Sequence, residues 1–493
     1  MRDLLVDPLW RAQDLGCPIP DSEHAVSVAL PLWEHVIGYE EEDPAVIDAM
    51  KCGYPRFFCH PRVTRLFADC EKRFAKTGER CLTFPSAASA QRCVAFIQSQ
   101  TQLRARVDPL GINNVHSVTL PEQAMETAKL FWRYSGEIVS SRLAQAALAG
   151  RSGGEGGQGA RDILRSRIAE LTGQPEADVY LFCSGMAAVF TTQRMLQSLS
   201  GGAKTVQLEF PYVDVLKVQN AFGPGAHFVP LVDEKDLLQL EQRLETEKIA
   251  GVYCEIPSNP LLRSLDLDRL SAILKTRGVP LIIDDTVGTN VNLNAFKYAD
   301  VVTTSLTKYF CGVGDVMAGS VVLNRRSPFH STFAEFLAGD YEDSLWDEDA
   351  VALEAESQDY PERIAKVNAT AEKVFDHLAD HPKIEKAWYP KTVTPDWYNQ
   401  IKRHGKGHGG LFSVLPKNAA QTTAPFYDAL RVSKGPSLGT NYTLTSPYTL
   451  LAHYRELDWA ESCGVSRYLV RFSIGLEEGD DLIQRVDEAL GSF

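Results

Sequence analysis

Short apolar runs alternate with amphipathic stretches through the middle of the chain. Asp178–Cys183, Thr205–Leu208, His227–Leu231, Gly251–Glu255, Pro280–Ile283, Asp300–Thr303 and Ser320–Leu323 read as buried strands. Arg161–Thr172, Glu234–Thr246 and Leu267–Thr276 carry helical spacing, and Ser184-Gly185-Met186-Ala187-Ala188 opens another helix. Strands alternating with helices predict an α/β domain on a mainly parallel sheet. Ligands of such sheets sit beyond the carboxyl ends of strands, so the residues just after each strand are the first candidates for chemistry.

The flanks read differently. The first 150 or so residues are irregular, with Pro18-Ile19-Pro20, an acidic cluster at Glu40–Asp43 and the aromatic segment Gly53–Phe58, followed by a helical pattern at Arg62–Phe74. Gly150–Gly159 holds six glycines in ten residues. No strand leads into it and no Gly-Lys-Ser/Thr ends it, so it is read as a mobile linker and not as a phosphate loop. Beyond residue 325, Glu362–Leu378 is a predicted helix starting after Pro361, Tyr468–Gly475 a strand, and Asp480–Leu490 a terminal helix. The expected division is an N-terminal arm over 1–160, an α/β domain over 161–325 and an α+β domain over 326–493. No fixed-period repeat is present.

Composition narrows the function classes. Among 493 residues, 44% are hydrophobic and 23% charged, as in ordinary soluble globular proteins. The net charge of −14 argues against a nucleic-acid binder. No run approaches the roughly 18 apolar residues of a membrane span. Met1–Asp7 carries acids where a secretory leader is apolar, and the ten cysteines form no C-x-x-C pair, so a cytoplasmic protein with reduced thiols is expected. His404 and His408 are four apart, but the glycines around them argue against a helical metal-binding face; no metal site is expected, and a flexible loop over the pocket is. Tyr341–Asp343 is read as a solvated face and Asp347–Asp349 as a helix start.

The stretch from Asp284 to Lys308 carries the chemistry. The apolar run Pro280–Ile283 delivers Asp284-Asp285-Thr286 at its end, where a carboxylate needs a cationic or hydrogen-bonding partner. Asp300–Ser305 delivers Leu306-Thr307-Lys308, and a lysine held in a dry pocket becomes a usable nucleophile. Ser184-Gly185-Met186 lies at a strand-to-helix turn, where free N–H groups make an anion site, with Ser305 and Thr307 as further donors. A phosphate cradle, an aldehyde-reactive lysine and a carboxylate for a ring nitrogen are what pyridoxal phosphate requires. Singly, each has a plainer reading: a solvated lysine, a turn, an N-cap. Order and spacing favour the site.

Six stretches carry a resemblance: Cys183–Ala188, Glu255-Ile256-Pro257-Ser258-Asn259-Pro260, Asp284-Asp285-Thr286, Ser305-Leu306-Thr307-Lys308-Tyr309, Pro436-Ser437-Leu438-Gly439 and Val470–Gly475. From about Arg161 onward the chain resembles the trans-sulfuration family of pyridoxal-phosphate enzymes, and within it the fungal-type cystathionine γ-synthase-like group. The resemblance implies an α/β fold of the type I (aspartate aminotransferase-like) pyridoxal-phosphate transferases. It implies Lys308 as cofactor attachment point and proton shuttle, and Asp284 on the pyridine nitrogen. Ser184, Gly185, Met186, Ser305 and Thr307 would surround the phosphate. Tyr212 would stack on the ring, Asn259 lie by its phenolic oxygen, and Ser437 and Arg471 hold the substrate carboxylate end. A core aromatic is the plainer reading of Tyr212, and a surface ion pair that of Arg471; an apolar strand around Arg471 weighs against the latter.

Three departures from the family pattern stand out, and the last two lie where the substrate is chosen. The family's tyrosine–arginine phosphate clamp, given by the neighbouring subunit, has two candidates here: Tyr54-Pro55-Arg56, or Ser140-Ser141-Arg142, with Arg142 preferred. Pro436 stands where a glutamate is frequent, and Gly439-Thr440-Asn441-Tyr442-Thr443-Leu444 departs from the usual continuation. The expected reaction is γ-substitution on an O-acyl-L-homoserine with cysteine, giving cystathionine. Alternatives are a carbon or nitrogen acceptor, an eliminating lyase, or a non-catalytic binding relative. A homodimer or homotetramer with a pocket shared between subunits is implied.

Overall fold

The computed structural model describes residues 2–493. Its centre is a seven-stranded sheet of β1 (Val179–Phe182), β2 (Lys204–Leu208), β3 (Ala226–Val229), β4 (Ile249–Glu255), β5 (Leu281–Asp284), β6 (Val301–Ser305) and β7 (Gly319–Leu323). The order is β1-β7-β6-β5-β4-β2-β3, with β7 alone antiparallel to its neighbours. Each expected strand is present within two residues of its expected ends. The continuous apolar runs follow from burial on both faces: all seven residues of β4 are buried.

A five-stranded sheet covers the C-terminal part, ordered Ile384–Trp388, Leu411–Pro416, Val470–Ser473, Leu444–Ser446, Ser433–Lys434. The long helix Tyr360–Ala379 and the last helix Gly479–Leu490 pack on it through Val374, Phe375, Leu482 and Val486.

The N-terminal region is more ordered than its pattern suggests. Glu79–Phe84, His116–Pro121 and Arg106–Pro109 form an antiparallel three-stranded sheet, flanked by helices Pro61–Phe74 and Ala87–Thr101. Residues before 60 behave otherwise: Val28, Leu30, Val36, Met50 and Cys52 are buried in one cluster with Phe412 and Phe472 of the C-terminal sheet. Leu30 donates to the Lys434 carbonyl at 2.8 Å, and the buried Lys434 ammonium donates to the Pro31 carbonyl at 3.0 Å.

The glycine run is not simply a linker. The helix Gly157–Thr172 starts inside it. A Cβ on Gly153 would stand 2.0 Å from Asp347 Oδ2 and one on Gly157 2.3 Å from Asp347 Oδ1, so these glycines let the chain close on the helix Asp347–Glu356. Arg161 joins Asp347 at 2.6 Å and clamps the contact. Among the described residues no helix is long and apolar enough to cross a membrane.

Candidate active site

The carboxyl ends of β1, β2, β4, β5 and β6 face one cleft of about 1190 Å³ that opens to solvent. After β1 the chain turns into the helix Gly185–Ser200. Ser184 is its N-cap: the hydroxyl accepts from Ala187 N at 3.0 Å and donates to the Gly136 carbonyl at 2.7 Å. Ser184 therefore shapes the turn. The N–H groups of Gly185 and Met186 have no partner among the described residues and point along the positive end of the helix dipole, an anion site in waiting. Gly185 has to be glycine here, because a Cβ would lie 2.7 Å from the Ser305 Cβ. Ser305 Oγ beside it has no hydrogen-bond partner among the described residues. The Thr307 hydroxyl, by contrast, donates to the Ala318 carbonyl at 3.2 Å and accepts from Ala318 N at 3.0 Å, so its donor is committed to the scaffold.

Lys308 follows β6 and is 7% exposed. Its Nζ donates to Tyr54 Oη at 2.9 Å and to Ser437 Oγ at 2.8 Å. Burial lowers the lysine's proton affinity, against the pull of the Tyr54 hydroxyl. Burial alone would raise the Tyr54 phenol, but the Lys308 and Arg56 cations outweigh it and bring it down to about 8. Ser437 is held at φ +95°, a left-handed conformation that costs a serine roughly 1–3 kcal/mol. That backbone turns its hydroxyl to Lys308 and its carbonyl to Arg471.

Asp284 ends β5 half-buried at the cleft floor. It accepts from Thr286 N at 2.9 Å and forms no ion pair among the described residues. Burial raises its pKa. Glu255, at the end of β4, accepts from Tyr212 N at 2.8 Å and is likewise raised by burial, with Asp284 adding to the shift. Opposite them lies Arg471, 5% exposed, on the strand Val470–Ser473. It donates to Asn259 Oδ1 at 3.0 Å and to the Ser437 carbonyl at 2.6 Å, and its guanidinium lies 4.6 Å from the centre of the Tyr448 ring. No carboxylate pairs with it among the described residues. A buried guanidinium left so is unfavourable unless a ligand anion completes it.

Tyr54 and Arg56 both line this cleft, and both come from the same chain as Lys308. Arg56 donates to Tyr212 Oη at 2.5 Å and to Asp214 Oδ2 at 2.5 Å, in a fully buried pair. Arg142 is elsewhere. Its guanidinium is held by Asp315 at 3.0 Å and Asp349 at 3.2 Å, and it does not line the cleft. The buried Asp349 and the half-buried Asp315 engage that cation, so in this structure Arg142 is an ion-pair partner away from the cleft, while Tyr54 and Arg56 line it. The loop with His404 and His408 does not line the cleft either. The His408 ring lies against Tyr389 and Tyr398, and its backbone neighbour Gly409 donates to Asn368.

Residues 155–491 match the family model described as Cys/Met metabolism PLP-dependent enzyme, and residues 62–140 the one described as fungal trans-sulfuration enzyme, N-terminal domain. The chain belongs to the Cys/Met metabolism PLP-dependent enzymes. It is 35% identical to a cystathionine gamma-synthase of Neurospora crassa, over 97% of this chain and 98% of that protein. It is 33% identical to the cystathionine gamma-synthase-like enzyme iboG1 of Amanita muscaria, over 98% of each. In fold it matches a cystathionine gamma synthase from Xanthomonas oryzae at a TM-score of 0.60 and 24% identity, covering 68% of this chain and 86% of that one. The fold is that of the PLP-dependent enzymes, and the cofactor is pyridoxal phosphate.

The residues fit that cofactor. Unpartnered N–H groups and Ser305 Oγ suit its phosphate, the buried Lys308 amine suits its aldehyde, and the unpaired Asp284 suits a protonated ring nitrogen. Glu255 and Tyr448 also line the cleft, and Asp214 holds Arg56 at its edge; none of the three was singled out from sequence. Glu255 stood in view at the end of a predicted strand; Asp214 and Tyr448 carry no local signal of their role.

Proposed function

We propose that the protein catalyses γ-substitution on an O-acyl-L-homoserine with L-cysteine as acceptor, giving cystathionine. One observation carries the reading: Ser437 joins the unpaired Arg471 guanidinium to the Lys308 amine, through its carbonyl at 2.6 Å and its hydroxyl at 2.8 Å. In this reading Arg471 anchors the α-carboxylate next to Lys308 as base for the α-proton, the arrangement an α-amino acid requires. The fungal relatives named above support the choice of reaction.

In this reading the Arg471 fork orients the substrate by its carboxylate, with Asn259 and Tyr448 fixing the fork. Burial lowers the proton affinity of the Lys308 amine, which takes the α-proton in this reading, and Tyr54 Oη at 2.9 Å is close enough to exchange a proton with it. Asp284 holds positive charge on the ring nitrogen, and Tyr212 forms a wall of the cleft. Gly185 and Met186 N–H, Ser305, and the Tyr54–Arg56 segment hold the phosphate end. When bound, pyridoxal phosphate withdraws electrons from the substrate's α and β carbons, so a γ-substituent can leave. Overall the Cγ–O bond breaks with the acyl carboxylate departing, the Cγ–S bond forms, and the thiol proton is released.

The test is product analysis on purified, cofactor-loaded protein given O-acetyl- or O-succinyl-L-homoserine with and without cysteine. Cystathionine that appears only with cysteine is expected. Ammonia and 2-oxobutanoate at equal rates without acceptor would overturn the synthase reading in favour of a lyase. A cytoplasmic location rests on ten cysteines that are all free thiols, most of them buried; cell fractionation tests it. The homodimer or homotetramer implied by family resemblance is tested by light scattering.

A further inference from the structure

The acidic run Glu40-Glu41-Glu42-Asp43 lies where the helix Trp33–Glu40 ends. Three of its members have an evident place. Glu41 accepts from Tyr454 Oη at 2.5 Å, Asp43 accepts from Ala45 N at 2.9 Å as the N-cap of the next helix, and Glu42 is exposed to water. Glu40 differs: it is half-buried and lines the catalytic cleft. Two other carboxylates line that cleft, and both are bonded, Asp284 to Thr286 N and Glu255 to Tyr212 N. The Glu40 carboxylate forms no hydrogen bond and no ion pair among the described residues.

Nothing around Glu40 compensates it. As the last residue of its helix it faces the negative end of the helix dipole. Burial lifts its carboxyl to about 7, and Arg133 and Arg455 pull the other way without closing to an ion pair. Arg133 is engaged by Asp214 at 3.3 Å and lies 3.9 Å from the centre of the Phe57 ring. Next in sequence, Tyr39 lines the same cleft and is 9% exposed, and its hydroxyl is buried with no hydrogen-bond partner among the described residues. The helix Trp33–Glu40 packs on the helix Tyr448–Ala452, whose Leu451 and Ala452 add apolar surface to the cleft. Tyr448, at the start of that second helix, is the ring that faces the Arg471 guanidinium. Glu40 therefore stands one helix beyond the proposed carboxylate anchor. A half-buried carboxylate beside an unpartnered hydroxyl is completed by a ligand carrying cationic N–H groups.

We propose that Glu40 selects the acceptor: its carboxylate receives the ammonium group of the incoming amino-acid thiol. The inference rests on the γ-substitution reading above and names the group by which that site recognises its second substrate. It holds whichever copy of the chain supplies the helix Trp33–Glu40 to a given cleft. In that reading the donor has its carboxylate at Arg471 and its α-carbon at Lys308. The acceptor brings a second ammonium into the cleft, and Glu40 is the cleft carboxylate left to meet it. An ammonium beside Glu40 restores the counter-charge that burial removes and holds the carboxylate ionised. A thiol without an amino group gains nothing from Glu40.

The test compares two acceptors on cofactor-loaded protein, with whichever of O-acetyl- and O-succinyl-L-homoserine serves as donor held at saturation. One acceptor is L-cysteine; the other is 3-mercaptopropionate, the same skeleton with hydrogen in place of the amino group. Glu40→Gln keeps the shape and removes the charge, and a neutral amide is easier to bury than a carboxylate, so the fold is expected to hold. The variant should raise the KM for cysteine roughly tenfold or more, while the donor's KM stays within about threefold of wild type. For 3-mercaptopropionate, kcat/KM should also stay within about threefold, or its inhibition constant against cysteine where it is not consumed. Equal losses on both thiols would assign Glu40 to the scaffold and overturn the proposal. A wild-type protein that forms no cystathionine overturns the reaction reading and this inference with it. Cystathionine formed with the same cysteine KM by wild type and Glu40→Gln overturns this inference alone.

Discussion

Replacing Arg471 by lysine keeps the charge and removes the fork. Of the five N–H bonds of a guanidinium, Arg471 commits one to Asn259 Oδ1 and one to the Ser437 carbonyl, leaving three without a partner among the described residues. A lysine ammonium has three in all. If it satisfies the same two acceptors it keeps one for the substrate carboxylate, so at least one charge-assisted hydrogen bond is lost. Such bonds contribute about 1.5–3 kcal/mol, which corresponds to roughly a 10- to 150-fold fall in kcat/KM. The assay is steady-state kinetics on the amino-acid donor, beside the same donor with its carboxylate converted to an amide. The amide has no anion to grip, so the substitution should change its kcat/KM by less than about threefold. Equal losses on both substrates would show that Arg471 acts through the scaffold, and a loss below threefold on the acid would refute the carboxylate role outright. Cofactor absorbance, unchanged in the variant, separates a substrate effect from a cofactor effect.

Three further outcomes follow from the same geometry. Arg142→Met should destabilise the chain by about 3–5 kcal/mol in urea unfolding, since Asp315 and Asp349 lose their cation, while cofactor affinity by equilibrium dialysis stays within threefold of wild type. Gly185→Ala forces a Cβ to within 2.7 Å of Ser305 and should lower pyridoxal-phosphate affinity more than tenfold; unchanged affinity would contradict the phosphate placement. Burial lifts the Asp285 carboxyl to about 7, against the Thr304 hydroxyl bond. Unfolded, it titrates near 4. The native state therefore holds this proton more tightly, and the group's stabilisation is full below about pH 4, declines by up to about 1.4 kcal/mol per pH unit toward pH 7, and is flat above. Asp285→Asn should shrink the stability difference between pH 5 and pH 7 by up to about 2–3 kcal/mol in urea melts; an unchanged difference counts against the buried-acid account.

The sequence was most legible where burial is local and two-sided. The strands between Val179 and Leu323 are short and mostly apolar, and pattern put Asp284, Ser305, Thr307 and Lys308 at or just after strand ends, where they line one cleft. Thr307 shows the limit of that reading: it lines the cleft, yet its hydroxyl donor is consumed by Ala318, a backbone contact that no spacing rule reports. The N-terminal region was least legible. Its three-stranded sheet pairs short strands whose outer positions are polar, and its first 60 residues bury their apolar side chains against a sheet some 400 positions away.

What the sequence determined by itself was the α/β centre and the strand-end order of the candidate residues, Lys308 among them, because those depend on residues close together in the chain. Only the tertiary structure shows Tyr54 and Arg56 lining the cleft and Arg142 paired elsewhere, and only it shows Arg471 without a carboxylate partner among the described residues. An arginine's role depends on which carboxylates fold up against it. Asp315 and Asp349 claim Arg142, Asp214 claims Arg56 at the cleft wall, and none claims Arg471. Those partners are brought together by the packing of distant elements, and local pattern carries no record of it.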